Sequence, residues 1–435
     1  MREITLADLD DIATGAAILG TGGGGDPHIG RLLAASAVRE YGPVKLCTLD
    51  ELPGEAALVQ VAMMGAPTVM VEKLPSVDQV SAAAGALSGY LGSGLTHIAC
   101  SEAGGVNSLI PVVAAAQLGL PLVDADGMGR AFPEIQMVLP TLYGVRATPM
   151  AIADEKGNRA VLDTVDNHWA ERLARSATID MGCSAMISSY AMTGAQARDS
   201  LVPGTLSLCA ELGRLVREAR AAHTDPVAAV VARLGGTTLF TGKVTDVERR
   251  TVTGFARGTA TLSGLDGDAG SELILRFQNE YLVAEVDGQV RATVPDLICT
   301  LDRESGEAVT TEALRFGQRV TVIAAPADPR WHTPEGLALA GPRYFGYDLD
   351  PVRAEGGSGH DLAPGRATPF SGDDLDPGQA TPSSGHDLDP GRAATPFSDD
   401  DLDPGRATPS SGHDLDPGRA TPSSGHDLDP GRAAL

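Results

Sequence analysis

The stretch THIACSEAGGVNSLIPVVAAAQLGLPLVDAD, residues 96–126, reads as strand, loop, helix and strand. THIAC (96–100) and PLVDAD (121–126) are short apolar runs of the kind buried in a sheet, and SLIPVVAAAQLG between them reads as a helix. Two strands joined by a helix run parallel through a right-handed crossover. Upstream, ALVQVAMM (57–64) and the helical pattern VEKLPSVDQVSAAAGALSGYL continue the alternation. The first part of the chain, residues 1–168, is therefore expected to be an α/β domain of three layers with a mostly parallel sheet.

Working back to the N-terminus, Thr5 is a plausible cap for a helix through Leu6, Leu9, Ile12 and Ile18. GTGGGGDP (20–27) follows, then a second helix over IGRLLAASAVREYG. A phosphate loop needs a strand before the glycines and a Lys-Ser/Thr pair after them, because the lysine and hydroxyl serve phosphate and magnesium. Here a helix precedes, Asp26-Pro27 follows and no lysine is near, so the nucleotide reading is disfavoured. Glycine at a helix-to-helix connection permits positive φ and close approach. Four in a row exceed what one turn needs, and the amides of Gly22, Gly23, Gly24 and Gly25 are expected to hold an anionic or carbonyl oxygen.

Working forward, residues 169–222 read as helical, with LSLCAELGRLVREARAA the strongest amphipathic stretch. From 237 to 345 strand signals dominate, including FARGTATLSG, ELILRFQNEYLVAEVDGQV and QRVTVIAAP. The expectation for 169–346 is a domain of helices and a β-barrel. Beyond it, Asp-Leu recurs at 348, 361, 374, 387, 401, 414 and 427 in units close to HDLDPGRATPSSG. One leucine per unit cannot bury enough surface to offset chain entropy, so 347–435 reads as a disordered acidic tail.

A net charge of −24, of which the tail supplies −11, argues against nucleic-acid and membrane partners, which need clustered Lys and Arg. Five dispersed cysteines without metal-like spacing fit reduced thiols in a cytoplasmic protein. A homo-oligomer is the expectation that symmetry statistics give any soluble chain.

In open α/β sheets ligands lie beyond the carboxyl ends of the strands. After THIAC come Ser101, Glu102 and Asn107, and after PLVDAD come Arg130 and Glu134, with Asp124 and Asp126 closing the strand itself. If the two strands are neighbours, Glu102 and the Asp pair share a crevice. Clustered carboxylates separate one general acid from one general base, and can also hold a divalent metal. The competing structural reading makes Ser101 and Asp126 helix caps, and Arg130 with Glu134 an i,i+4 pair. Glu102, Asp124 and Asp126 are the catalytic candidates; Asn107, Arg130 and the glycine run are the substrate-binding ones.

GTGGGGDP, SEAGGVNS, DADGMGRAFPEIQM, PDLICTLD and GPRYFGYD occur in this order, and over residues 5–350 the chain resembles the S-methyl thiohydantoin desulfurase family, often found beside hydantoinase-type proteins. The resemblance implies an N-terminal α/β three-layer domain, a C-terminal domain containing a β-barrel, and hydrolytic loss of a methylthio group from a small heterocyclic substrate to give a hydantoin. Glu102 or Asp124 is then expected as base, with Asp126 and Arg130 positioning substrate. Other expectations from different classes are a hydantoinase-like opener of a cyclic amide, and a non-catalytic subunit with a hydantoinase-type protein as partner.

Overall fold

A computed structural model describes residues 2–65, 69, 73, 76–252 and 255–354. The repeats from 355 onward, expected to be disordered, lie outside the described residues. Residues 347–354 do not trail away: Val352 exchanges hydrogen bonds with Thr293, and the Ala354 amide donates to Asp296.

The strands are β1 (Arg2–Ile4), β2 (Val44–Cys47), β3 (Ala57–Gly65), β4 (His97–Cys100), β5 (Leu122–Asp126), β6 (Met150–Ala153), β7 (Arg159–Leu162), β8 (Ser184–Thr193) and β9 (Val202–Pro203), all in one sheet. Its order is β1-β2-β5-β4-β3-β8-β6-β7, with β9 on β5. Parallel pairing is confined to β2–β5, β5–β4 and β4–β3. The other neighbours are antiparallel, so the sheet is mixed and not mostly parallel as expected. The difference comes from β8: the stretch read as continuously helical breaks after its first helix, and SAMISSYAMT crosses back beside β3.

Helices α1 (Leu9–Leu19), α2 (Pro27–Tyr41), α3 (Val77–Leu91), α4 (Ile110–Leu118), α5 (Asn167–Asp180) and α6 (Thr205–Ala221) cover this sheet, α3 and α5 both packing on β6, β7 and β8. α1 starts after Asp8, whose carboxylate accepts from the Thr5 amide and hydroxyl and not from the helix, so Thr5 is not the cap expected. Asp26 caps α2, its carboxylate accepting from the His28 amide with Pro27 in the first turn. The Asp-Pro after the glycines is therefore a helix start. Among the described residues no helix is long and apolar enough to cross a membrane.

Strands β10 (Thr237–Val252), β11 (Phe255–Gly264), β12 (Glu272–Gln278), β13 (Glu280–Val286), β14 (Gln289–Thr293), β15 (Leu297–Asp302) and β16 (Arg319–Ala325) form a second, wholly antiparallel sheet. Its order, β14-β13-β12-β11-β10-β16-β15, curls around Phe240, Leu262, Leu275, Phe277, Tyr281 and Val322. No ladder joins β14 to β15 among the described residues, so this is a half-barrel where a barrel was expected. The turn between β12 and β13 is a single residue, Asn279, at φ 58°. That hairpin reaches the glycine run of the first sheet's domain.

Candidate active site

β4 and β5 are parallel neighbours, so the two loops at their carboxyl ends lie side by side, and the Gly127 amide donates to the Ser101 carbonyl. The glycine run packs against both the first loop and the second sheet. Thr311 donates from its amide and hydroxyl to the Gly22 carbonyl, and the Tyr281 amide donates to Thr21. A Cβ on Gly23 would sit 2.0 Å from a carboxylate oxygen of Glu280, and one on Gly105 would sit 2.2 Å from the Gly24 carbonyl oxygen. The close approach of three chain segments explains the glycines without any phosphate. Gly24 and Gly25 line a small cavity, and no described residue accepts from either amide. The Gly23 amide, by contrast, is tied to Gly20 within the turn, and Gly22 lies outside the cavity lining.

The cavity, of about 80 Å³, opens between these amides, Glu102, Asn107, Glu280 and an apolar wall that includes Met63, Met64 and Phe132. Asn107 fixes one side of it. Its Oδ1 accepts from the Met63 amide at 2.7 Å and its Nδ2 donates to the Met63 carbonyl, as another strand would. The same Nδ2 donates to Glu102 Oε1 at 2.6 Å. Glu102 Oε2 is buried and has no hydrogen-bond partner among the described residues, with the Phe132 amide nearby lowering the carboxyl's pKa. Burial pushes the Glu102 carboxyl up to about 8 against the pull of Asn107.

Glu280 faces the same cavity from the start of β13. It is 2% exposed, its Oε2 also lacks a partner among the described residues, and burial raises its pKa well above the usual carboxylate range, with the charge of Glu102 adding to the effect and Arg130 opposing it. Sequence reading passed over this residue because it stands in a strand-like run of alternating polar residues. The signal available was QNE, three polar residues in succession that break the alternation at 278–280.

The other expected site residues stand elsewhere. Asp126 is fully buried and accepts from the amides of Ala103, Met128 and Gly129, which ties the two strand-end loops together. Burial lifts it to about 7 even against those donors. Asp124 turns to the first turn of α6, accepting from the Ser207 amide at 3.0 Å and from the Ser207 hydroxyl. Arg130 is fully buried; its guanidinium donates to the carbonyls of Ala131, Pro295 and Asp296 and to the Thr21 hydroxyl, latching the two sheets together. None of the three lines the cavity. The structure thus brings Glu102, Asn107, Gly24 and Gly25 to one place and adds Glu280. Among the described residues no three His, Cys, Asp or Glu side chains group to hold a metal ion.

Residues 7–164 match the family model described as S-Me-THD-like, N-terminal domain, and residues 165–354 match S-Me-THD-like, C-terminal domain. A crystal structure of a protein from Chromobacterium violaceum is similar at 26% identity and a TM-score of 0.65, over 78% of this chain and 95% of that one. No curated protein matches the chain.

Proposed function

The chain belongs to the S-Me-THD-like family, and on that premise we propose that it is a hydrolase of a small heterocyclic ring, exchanging the methylthio group of an S-methyl thiohydantoin for oxygen to give a hydantoin and methanethiol. The observation that carries the chemistry is the pair Glu102 and Glu280: two buried carboxyls on one cavity, each with an oxygen that no described residue partners. The cavity is far smaller than the roughly 300–1,000 Å³ of drug-sized ligand pockets, which favours a small ligand over a nucleotide. Methionine side chains and Phe132 on its wall offer soft, polarisable contacts to a methylthio sulfur.

The ring carbon bearing sulfur is amidine-like and electrophilic. Glu102, whose pKa of about 8 is the one nearer neutrality, takes a proton from water as the oxygen attacks that carbon. Glu280, held protonated by burial and by the ionised Glu102, gives its proton to the ring nitrogen. The tetrahedral intermediate then breaks its C–S bond. Methanethiolate receives the proton from Glu102, the new hydroxyl returns one to Glu280, and both carboxyls are restored. The free amides of Gly24 and Gly25 are suited to a ring oxygen or nitrogen.

The test is methanethiol release from an S-methyl thiohydantoin by the purified chain, followed by thiol assay and product mass. Glu102→Gln removes the base with little change in shape and lowers the rate by about 10²–10⁴-fold, the usual worth of general base catalysis. The wild-type rate climbs as pH rises toward about 8, where Glu102 ionises. A ring-opened carboxylate product without thiol, or full activity in Glu102→Gln, overturns the proposal.

A further inference from the structure

β7 is the last strand of the mixed sheet, and among the described residues it pairs only with β6. An uncovered edge of this kind is a template for a further strand. Its register with β6 fixes which groups are free. The Asp154 amide donates to the Asn158 carbonyl at 3.1 Å, and the ladder continues through Ala153 opposite Arg159, Ile152 opposite Ala160 and Ala151 opposite Val161. Hydrogen-bonded and non-hydrogen-bonded pairs alternate along an antiparallel ladder. The amides and carbonyls of Arg159 and Val161 therefore point away from β6, toward the open edge.

The side chains add a second constraint. Arg159, Val161 and Asp163 share one face of the strand and are all exposed. Read antiparallel to itself about Val161, this segment sets Arg159 opposite Asp163 twice, with Val161 opposite Val161 on the axis. Asp163 meets Arg146 at 3.1 Å, while Arg159 pairs with no described residue. Through Asp163 the edge runs into an open groove also lined by Val165, Trp169 and Leu173. These three are 82%, 43% and 43% exposed, an apolar patch continuous with the strand edge.

We propose that β7 is a homodimer interface: two copies of the chain join their mixed sheets edge to edge about a two-fold axis at Val161, with the Val165–Trp169–Leu173 patch covered beside it. A self-complementary patch is what a two-fold contact requires. The charge pattern of residues 159–163 meets its own reverse without a like-charge clash, which favours a second copy over an unrelated chain.

The full-length chain should sediment as a dimer of its 44.7 kDa mass. Arg159→Asp sets Asp opposite Asp163 at both ends of the pairing and should raise the dimer dissociation constant about tenfold or more, since like charges directly opposite on a ladder destabilise it. Val161→Cys provides an independent reading that needs no disruption. Cα atoms in a hydrogen-bonded antiparallel pair lie about 5.5 Å apart, within reach of a short thiol-reactive bismaleimide. That reagent should therefore link the two chains in Val161→Cys and not in wild type, resolved on a denaturing gel. A monomeric wild type, a dimer constant unmoved in Arg159→Asp, or a dimeric Val161→Cys that does not cross-link overturns the interface.

Discussion

Two pairs of carboxylates sit at the heart of this molecule, and their difference separates chemistry from architecture. Asp124 and Asp126 end a buried strand with their oxygens occupied: Asp126 by three backbone amides, Asp124 by Ser207. Glu102 and Glu280 are as deeply buried, yet each keeps an oxygen with no partner among the described residues, and both face the cavity. Burial raises Glu102 and Asp126 alike, so a displaced pKa does not tell the pairs apart. Vacant lone pairs do. A saturated carboxylate holds loops in place, whereas an unsatisfied one is an unpaid desolvation cost that a substrate can relieve.

An effect as large as that of Glu102→Gln should come from Glu280. Glu280→Gln keeps the shape against Gly23 but removes the acid, and should lower methanethiol release by about 10²–10⁴-fold, equivalent to about 2.7–5.4 kcal/mol in the barrier. The fold should not suffer, since the exchange leaves no new charge unpaired. Rate and thermal unfolding measured on one sample check both halves. A Glu280→Gln protein of wild-type rate would place Glu280 with the architectural pair and collapse the comparison.

The sequence displays these residues unequally. Glu102 and Asn107 were legible because THIAC is a recognisable strand and loops at strand ends carry function. The parallel strands β3, β4 and β5 appear where their apolar runs place them, at Ala57–Gly65, His97–Cys100 and Leu122–Asp126. Asp124 and Asp126 stand at an equally suitable place, and residue type alone does not reveal that three amides converge on Asp126. Glu280 was hidden by distance: it enters through a hairpin of the other sheet, 178 residues after Glu102. The half-barrel was legible as strands, but closure depends on whether its end strands pair, a long-range property that no local pattern carries.

A smaller effect is expected at Asp126, on stability and not on turnover. Asp126→Asn keeps one oxygen for the amides of Ala103, Met128 and Gly129, which all reach the same carboxylate oxygen, but sets an NH₂ group against the Gly129 amide where the other oxygen stood. The cost should be about 1–3 kcal/mol, the usual penalty for a buried donor left unsatisfied. Denaturant unfolding measures it, and the residual rate of the folded fraction should stay near wild type. A large loss of rate at unchanged stability would move Asp126 into the reacting set.

The finest discrimination lies in pH. The folded carboxyl of Glu102 ionises near 8, against an ordinary value of 4.5, so between those limits the folded chain keeps a proton that the unfolded chain releases. Stability from this group is full below about 4.5 and is lost as pH rises through 8, at no more than about 1.4 kcal/mol per pH unit. Asp126 acts in the same direction, from 3.8 to about 7. The substitutions then diverge. Glu102→Gln removes its share of the slope and should match or exceed wild-type stability at pH 8, because the neutral amide spares the site an unpartnered anion. Asp126→Asn also flattens the slope, yet should fall below wild type across the range, because its NH₂ group is set against the Gly129 amide at every pH. Melting temperatures of the three proteins from pH 5 to 9 read both terms. Parallel curves for wild type and Glu102→Gln would mean that Glu102 is ionised throughout, and the distinction between vacant and saturated carboxylates would fail at its central residue.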